Sequence, residues 1–319
     1  MKKMMFLDCG APSIYNEYAR KRTSSNKALM GSTFKDRKND SHEYIKSKFF
    51  LDYLDEYIDF CCTMPKTESL IITALDVINN PENTYRIWLK FIERGVNAIP
   101  CWHLGSDVTY LRKYLNEHNC EFIAIGGMTP NPYGKLVGPL DKIWQNDLCD
   151  ADGYPKAKYH GFAMTSFKLM FRYPWYSVDS SSANATARFG MVWIPNRYKD
   201  YSDPVVVVTS FHVASNGKKK YWLNSSKHNQ EVLEDYVKSR GFSLGKSVVR
   251  KVDKGYKPIP LKEFWYDKGN LEVAEVIEPG LTNNFNQRWL FNADFLEESS
   301  KTVPEWPWQF KSKRRGFFK

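Results

Sequence analysis

The chain lacks any hydrophobic run long enough to cross a bilayer, and its cysteines lack the paired spacing of a zinc ribbon or a disulfide framework. The first apolar run, Met4–Leu7, stops at Asp8, and no run approaches the ~18 apolar residues of a membrane span. We therefore expect no membrane partner and no cofactor, and reduced thiols in a cytoplasmic protein. The six cysteines are Cys9, Cys61, Cys62, Cys101, Cys120 and Cys149.

Acidic residues are fewer than basic residues. The chain holds 46 Lys and Arg against 36 Asp and Glu, a net charge of +10. This balance favours a polyanionic partner, with nucleic acid first and an anionic membrane second, although a Lys-rich surface also keeps a protein dissolved. Aromatic residues make up 15% of the chain, which suits stacking on flat ligands and equally suits a bulky core.

Predicted strands alternate with predicted helices along the first two thirds of the chain. This rhythm indicates parallel βαβ units with right-handed crossovers. Strands are predicted at 4–8, 70–76, 98–103, 122–127, 157–163, 175–179, 189–194 and 205–211, with helices at 42–62, 80–94, 107–117, 137–148 and 165–172. Residues 20–40 are polar and basic and predict a mobile loop.

Eight strands before residue 212 favour a closed barrel over an open sheet. The predicted fold class is α/β: an irregular (β/α)8 TIM-like barrel with an appended C-terminal α+β region. The domain prediction is a barrel catalytic domain at 1–212 and an appended region with a basic aromatic tail at 213–319. That region holds a predicted helix at 230–240.

Several predicted strands end in a residue that is able to do chemistry. In a parallel barrel the carboxyl ends of the strands meet at one mouth, where polar residues tend to be functional. The alternative without a function is that an aspartate there caps a helix or bends a turn, and that the histidines only support the fold. The residues at these ends are Asp8, Asp76 and Asp179, His103 and His160, and the pair Gly126-Gly127.

Two chemistries fit such a ring, and the spacing does not choose between them. In the first, one carboxylate attacks a sugar carbon and another moves a proton. In the second, divalent metal ions drive hydrolysis. The metal ligands would then be Asp8, Asp76, His103, His160 and Asp179.

Four segments resemble the tRNA-guanine transglycosylases, and more closely their DNA-modifying phage and bacterial branch, the deoxypurine-in-DNA transglycosylases. They are FLDCGAPS, ALDVINNPENT, AIGGMTP and the long KYHGFAMTSFKLMFRYPWYSVDSSS, spread between Met4 and Trp193. The resemblance implies a pentosyltransferase that exchanges guanine in DNA for a 7-deazaguanine such as 7-cyano-7-deazaguanine. A phage-encoded member would act in the host cytoplasm.

The resemblance also implies roles for individual residues. Asp179 would attack the deoxyribose, and Asp8 would act as general acid and base. Substrate-binding residues would be Asp76, Gly126, Gly127, His160, Gly161 and Ser13. An ionised carboxylate accepts hydrogen bonds only, so Asp76 suits the donor groups of a purine.

The chain departs from the tRNA enzymes in three ways, the first being that the region after Trp193 has no counterpart in the resemblance. Their CxCxxC…H zinc motif is missing, so we expect no metal, and Pro12 stands where they carry a stacking aromatic residue. The missing zinc motif, together with the long RYPWYSVDSSS match, favours DNA over tRNA, whereas Pro12 implies that another residue stacks on the base or that the ligand sits differently. A tRNA-acting enzyme, a metal-dependent barrel hydrolase and a non-catalytic nucleic-acid-binding protein remain the alternatives.

The expected partners are DNA and a free 7-deazaguanine base, and the sequence leaves a homodimer open. Basic residues near the predicted mouth and in the tail would contact phosphates. They are Arg20, Lys21, Arg22, Arg172, Arg188, Lys313, Arg314 and Arg315.

Overall fold

The computed structural model describes residues 5–25, 37–128, 131–164, 166–195, 208–214, 222–260 and 262–311. Its contacts divide the chain into two compact units. The first unit is Met1–Asp179 with Glu305–Arg314, and the second is Ser180–Pro304 with Arg315–Lys319. The chain thus divides after Asp179, whereas the sequence analysis places the boundary at residue 212.

The first unit is a mixed α/β structure in which the strands run parallel. The predicted alternation of strands and helices is confirmed here, from the first strand to the strand that ends before Asp179. The elements are β1 (Met5–Leu7), α1 (Ala11–Ser25), α2 (Arg37–Lys46), α3 (Lys48–Thr63), β2 (Leu70–Thr73), α4 (Pro81–Glu93), β3 (Ala98–Ile99), β4 (Cys101–His103), α5 (Val108–Arg112), β5 (Phe122–Gly126), α6 (Tyr133–Ile143), β6 (Lys158–Gly161), α7 (Phe167–Arg172) and β7 (Ser177–Val178).

Local sequence signals set the bounds of the best-defined helix, α4. The Asn80 side chain accepts a hydrogen bond from the Asn83 N–H and caps the helix, and Pro81 occupies the first turn, where no backbone donor is needed. Gly95 follows the helix with φ +73°, a left-handed conformation that glycine adopts without steric cost. The helix buries Trp88 and Phe91 against the sheet, and full burial of such side chains contributes about 1.5–3 kcal/mol each.

The strands lie in the order β1-β2-β3 and β4-β5-β6-β7, and every neighbouring pair is parallel. β3 and β4 are one run of chain interrupted at Pro100, which has no N–H to give to the ladder. The Pro100 carbonyl still accepts from the Ala124 N–H at 2.9 Å, so the two sheets continue into each other.

Contact between two rings on distant strands shows that this sheet is strongly curled. β1 and β6 are four strand steps apart, about 19 Å in a flat sheet at ~4.8 Å per step. Yet the ring of Phe6 on β1 stacks on the ring of His160 on β6, with centroids 4.3 Å apart. Phe6 also meets Phe122 on β5 edge-on at 5.8 Å. The concave face therefore holds a small aromatic and apolar core of its own.

Two expectations about the first and second units were wrong. Residues 20–25 belong to helix α1 and α2 begins at Arg37, so both ends of the expected loop are helical. Residues 26–36 of the expected loop lie outside the described residues. The strands expected to complete the barrel, near 189–194 and 205–211, pair antiparallel with each other in the second unit. Their short continuous apolar runs fit a hairpin strand as well as a barrel strand, so periodicity did not separate the two.

Within the described residues, the second unit combines the hairpin, a three-stranded antiparallel sheet and three α-helices. Its elements are α8 (Ser182–Arg188), β8 (Met191–Pro195), β9 (Val208–His212), α9 (Lys227–Ser239), β10 (Lys246–Lys251), β11 (Glu263–Asp267), β12 (Glu272–Glu278) and α10 (Phe285–Ser300). The sheet order is β10-β12-β11. Among the residues described, no helix has the length and apolar character to cross a bilayer.

Candidate active site

A cavity of about 250 Å³ opens at the carboxyl ends of strands in the first unit. It brings together Asp8, which follows β1, and Asp179, which follows β7, although these strands stand at opposite ends of the sheet order. The curl of the sheet is what makes this approach geometrically feasible. The lining residues are Phe6, Asp8, Thr73, His160, Phe162, Ser177, Val178 and Asp179.

The Asp179 carboxylate sits at the open side of the cavity, with its side chain 55% exposed. Its Oδ1 accepts a hydrogen bond of 2.6 Å from the Ala163 N–H, and the His160 Nε2 lies 3.7 Å from the same oxygen. Burial acts to raise the pKa of Asp179, but the imidazole and the Ala163 N–H outweigh it and hold the pKa below its usual value of 3.8. The carboxylate is therefore ionised at neutral pH, as a nucleophile requires.

His160 forms the wall of the cavity behind Asp179. Its side chain is only 3% exposed. Phe6 stacks on one face of the ring, and Phe162 meets it edge-on at 4.8 Å. The Nδ1 atom lies 2.9 Å from the Ser177 Oγ. With one face stacked on Phe6, the Phe162 ring in perpendicular contact and one nitrogen engaged, the ring has little freedom to turn, so Nε2 stays directed at Asp179.

Asp8 is exposed and closes the other side of the cavity. Its Oδ1 accepts from the Gly10 N–H at 3.2 Å, a local turn that orients the carboxylate without burying it. Thr73 fixes this turn to the neighbouring strand, because its hydroxyl donates to the Leu7 carbonyl and accepts from the Cys9 N–H. A turn-bending role for Asp8 is thus present, and it leaves the carboxylate facing the cavity.

Asp76 does not line this cavity but lies in a separate buried cluster. Its Oδ2 is 2.8 Å from the His103 Nε2, and its Oδ1 accepts from the Cys9 Sγ at 3.4 Å. Cys101 Sγ lies 3.8 Å from the same His103 nitrogen. Burial, followed by the charge of Asp76, raises the pKa of both Cys9 and Cys101 well above the usual value for a thiol.

The glycines named from the sequence are explained by close packing. A Cβ on Gly126 would lie 2.5 Å from Cδ2 of His103, so the missing side chain leaves room for that ring. Gly127 has φ +77°, and a Cβ on Gly161 would meet Val178 at 3.2 Å. Ser13 is exposed in α1, and the cavity lining does not include it.

Comparison of this chain with known protein families, curated proteins and solved structures returns no match. The site therefore has to be interpreted from its own geometry.

The five residues considered as metal ligands do not gather around one point. Within the described part of the chain, the set with ligand atoms all within 4.8 Å of one another is Asp76, Cys101 and His103. Asp8, His160 and Asp179 lie at the cavity instead.

The basic residues expected to bind phosphates fall into four groups. Arg172 forks onto Asp141 with distances of 2.8 and 2.7 Å, so its guanidinium serves a structural ion pair. Arg20 and Lys21 are exposed on α1, where Lys21 pairs with Glu17 at 2.9 Å, and Arg22 follows them in the helix. Arg188 is exposed on α8 of the second unit. Lys313, Arg314 and Arg315 lie outside the described residues.

The sequence analysis missed five residues that line the cavity: Phe6, Thr73, Phe162, Ser177 and Val178. A signal for two of them was present. Phe6 and Ser177 each stand two positions before a cavity aspartate, and residues two apart on a strand share a face.

Proposed function

We propose that this chain is a transglycosylase that exchanges guanine in DNA for a 7-deazaguanine base through two aspartates. The observation that supports the proposal is that Asp8 and Asp179 line one cavity, from strands at opposite ends of the sheet order. A base exchange needs a nucleophile and a proton carrier on one sugar–base bond, and two carboxylates in one cavity supply both.

The reaction has two matched halves. The Asp179 carboxylate attacks C1′ of the deoxyribose, the C1′–N9 bond breaks, and guanine leaves with that electron pair and a proton from Asp8. The ionised Asp8 then takes a proton from the incoming base, whose nitrogen attacks C1′ and displaces Asp179. Each aspartate returns to its starting state, so no external reactant beyond the two bases is needed.

The size and lining of the cavity suit a single flipped base. At about 250 Å³ it is smaller than the ~300–1,000 Å³ of sites for drug-sized ligands. Phe6 and Phe162 offer ring surfaces to a planar ligand. A target guanine has to leave the stack to reach Asp179. The net charge of +10 favours binding to the phosphate backbone.

We also propose that the first unit is an irregular TIM-like barrel, to which the described residues contribute six parallel strands when β3 and β4 are counted as one. The curl that brings Phe6 onto His160 supports this. The Asp76 cluster, with Gly126 and Gly127 beside it, would then face the same mouth, and a purine would replace His103 as the donor to Asp76.

The direct test is a base-exchange assay with purified protein, guanine-containing DNA and 7-cyano-7-deazaguanine, read by mass spectrometry of the nucleosides. Wild-type protein is expected to insert the deazaguanine. Asp179→Ala and Asp8→Ala should each reduce exchange at least about 1,000-fold. Asp55→Asn, on the exposed face of α3, is the matched control and should exchange normally.

Two outcomes would replace this proposal. Exchange on tRNA in preference to DNA would identify the tRNA-acting variant of the same chemistry. Tight, salt-dependent DNA binding that Asp179→Ala leaves unchanged, with no exchange by the wild type, would identify a non-catalytic binding protein.

A metal-dependent hydrolase is the second candidate, and the Asp76, Cys101 and His103 cluster favours it. Carboxylate, thiolate and imidazole are ligands that zinc accepts, at about 2.0–2.3 Å. The three residues would hold the ion as Lewis acid, with Cys101 deprotonated on binding. Stoichiometric zinc in protein purified without chelator, lost in Cys101→Ala, would support this candidate, and its absence would leave the transglycosylase.

A further inference from the structure

Ser177, His160 and Asp179 form a row across strands β6 and β7. His160 and Ser177 are direct partners in the parallel register, so their side chains lie side by side on one face of the sheet. Ser177 Oγ is 2.9 Å from Nδ1 of the ring, and the other ring nitrogen faces Asp179 Oδ1 at 3.7 Å. The ring itself is buried and contacts both Phe6 and Phe162.

The hydrogen-bonding capacities along this row agree with one arrangement. A carboxylate only accepts, a hydroxyl both donates and accepts, and a neutral imidazole carries one N–H and one lone pair. If Nδ1 carried the proton, the Nε2 lone pair would face the negative Asp179. If Nε2 carries it, the ring donates toward Asp179, and the Ser177 hydroxyl donates to Nδ1.

We propose that Ser177 selects the Nε2–H tautomer of His160, and that His160 in turn orients the Asp179 carboxylate, which makes both of them positioning residues for the nucleophile. The tautomer assignment stands on geometry alone, whereas its consequence for catalysis rests on the proposed function. The 3.7 Å separation is that of a ligand-free site, where such contacts are often longer than in the reacting complex.

The row also distinguishes the two oxygens of Asp179. The contacts from the Ala163 N–H and the His160 Nε2 are both made to Oδ1, which assigns Oδ2 to the attack on C1′. Once Oδ2 is bonded to the sugar, Oδ1 becomes the carbonyl oxygen of an ester. When the ester breaks, negative charge returns to the carboxylate, and two donors already aimed at Oδ1 stabilise it. The row of Ser177, His160 and Asp179 therefore acts chiefly on the second half of the exchange, in which Asp179 leaves.

The tautomer is measurable without any substrate. Protein labelled with ¹⁵N in its six histidines would be studied by NMR at neutral pH, with the His160 signals assigned by their loss in His160→Gln. Wild type is expected to show a protonated Nε2 and an unprotonated Nδ1. Ser177→Ala should shift the ring toward a mixture of tautomers, and Ser177→Thr, which keeps the hydroxyl, should restore the wild-type pattern.

Three NMR results would overturn the inference: a protonated Nδ1 alone in the wild type, two protonated nitrogens, or an unchanged tautomer in Ser177→Ala. Ser166→Ala is the matched control. That residue lies close by in the chain, and its side chain makes no capping hydrogen bond at the start of α7.

Kinetics of two His160 variants test the consequence for Asp179. His160→Gln places an amide N–H near the Nε2 position, whereas His160→Asn reaches only the Nδ1 position. Loss of a donor to developing charge costs about 100–1,000-fold in kcat, so His160→Asn should lose that much with KM within about threefold of the wild type. The kcat of His160→Gln should be at least about tenfold higher than that of His160→Asn, because the glutamine amide replaces the lost donor.

The covalent intermediate gives a signature that a merely structural role would not produce. Because the departure of Asp179 is slowed, His160→Asn and Ser177→Ala should hold a larger fraction of protein bound to DNA than the wild type, while His160→Gln should not. Equal activity of the His160→Gln and His160→Asn variants would overturn the positioning role of His160. No exchange by the wild type would defeat the proposed function instead, and the NMR result would still decide the tautomer.

Discussion

His103 Nε2 and Asp76 Oδ2 lie 2.8 Å apart, and the ring of His103 fits beside them because residue 126 has no side chain. A Cβ at Gly126 would lie 2.5 Å from Cδ2 of the ring and 3.0 Å from Nε2. The pair therefore depends on the absence of a side chain at residue 126. The backbone there does not itself require glycine, since the φ of Gly126 lies outside the left-handed region.

Gly126→Ala is expected to displace His103 from Asp76 and to lower the free energy of unfolding by about 1–3 kcal/mol, the usual cost of overpacking. Urea denaturation measures the change. Gly134→Ala is the matched control, because nothing lies within 4 Å of its Cβ and the residue is in helix α6, away from Pro139. It should stabilise the protein by about 0.5–1 kcal/mol, and a loss equal to that of Gly126→Ala would refute the packing argument.

The depressed pKa of Asp179 predicts how its contribution to stability depends on pH. Its pKa lies below 3.8 in the folded protein, so the ionised form is favoured by folding. This contribution is present above about pH 4, the pKa of an unfolded aspartate, and is lost as pH falls through the folded value. Asp179→Asn should therefore be less stable than the wild type at pH 7, and the difference should vanish toward pH 2. A difference that grows at low pH would contradict the assigned shift.

Asn292 on α10 joins three parts of the second unit. Its Oδ1 accepts from the Trp193 N–H at 3.0 Å, and its Nδ2 donates to the Ala183 and Met191 carbonyls at 3.3 and 3.2 Å. Asn292→Asp would turn an oxygen toward those two carbonyls, at a cost of about 1–3 kcal/mol for each unsatisfied group. The loss should be larger at pH 7 than at pH 4, because protonation restores one donor.

Asn284→Asp is the control for that substitution. Asn284 caps α10 by accepting from the Gln287 N–H, and aspartate caps a helix equally well. Thermal unfolding at both pH values would separate the two positions. Equal melting temperatures for the two variants at pH 7 would show that Asn292 is not the connection described.

The thiols should differ widely in their reaction with iodoacetamide. Cys62 is exposed, whereas Cys9 and Cys101 are buried and their pKa values are raised by burial first and by Asp76 next. Cys120 is intermediate, with a pKa of about 11. Mass spectrometry of labelled peptides should show Cys62 modified first, and Cys62→Ser should remove the fast phase. Early labelling of Cys101 would mean that the Asp76 cluster is open.

Much of the local structure was readable from short-range signals. Asn80, Pro81 and Gly95 mark the ends of α4, and the alternation of apolar runs located the strands of the first unit. The hairpin of β8 and β9 was misassigned because a buried strand has the same pattern whichever neighbour it pairs with. The pairing partner is a long-range property, which periodicity does not contain.

The sequence alone located the strand ends and the chemically able residues on them, including Asp8, Asp76, His103, His160 and Asp179, because strand period and turn residues act over a few positions. Only the tertiary structure decided how those residues are grouped. Curling of the sheet joins Asp8 to Asp179, while Asp76 and His103 pair in a cluster of their own. That grouping depends on the curvature of the sheet, which brings Phe6 against Phe122 and His160, residues more than a hundred positions away in the chain.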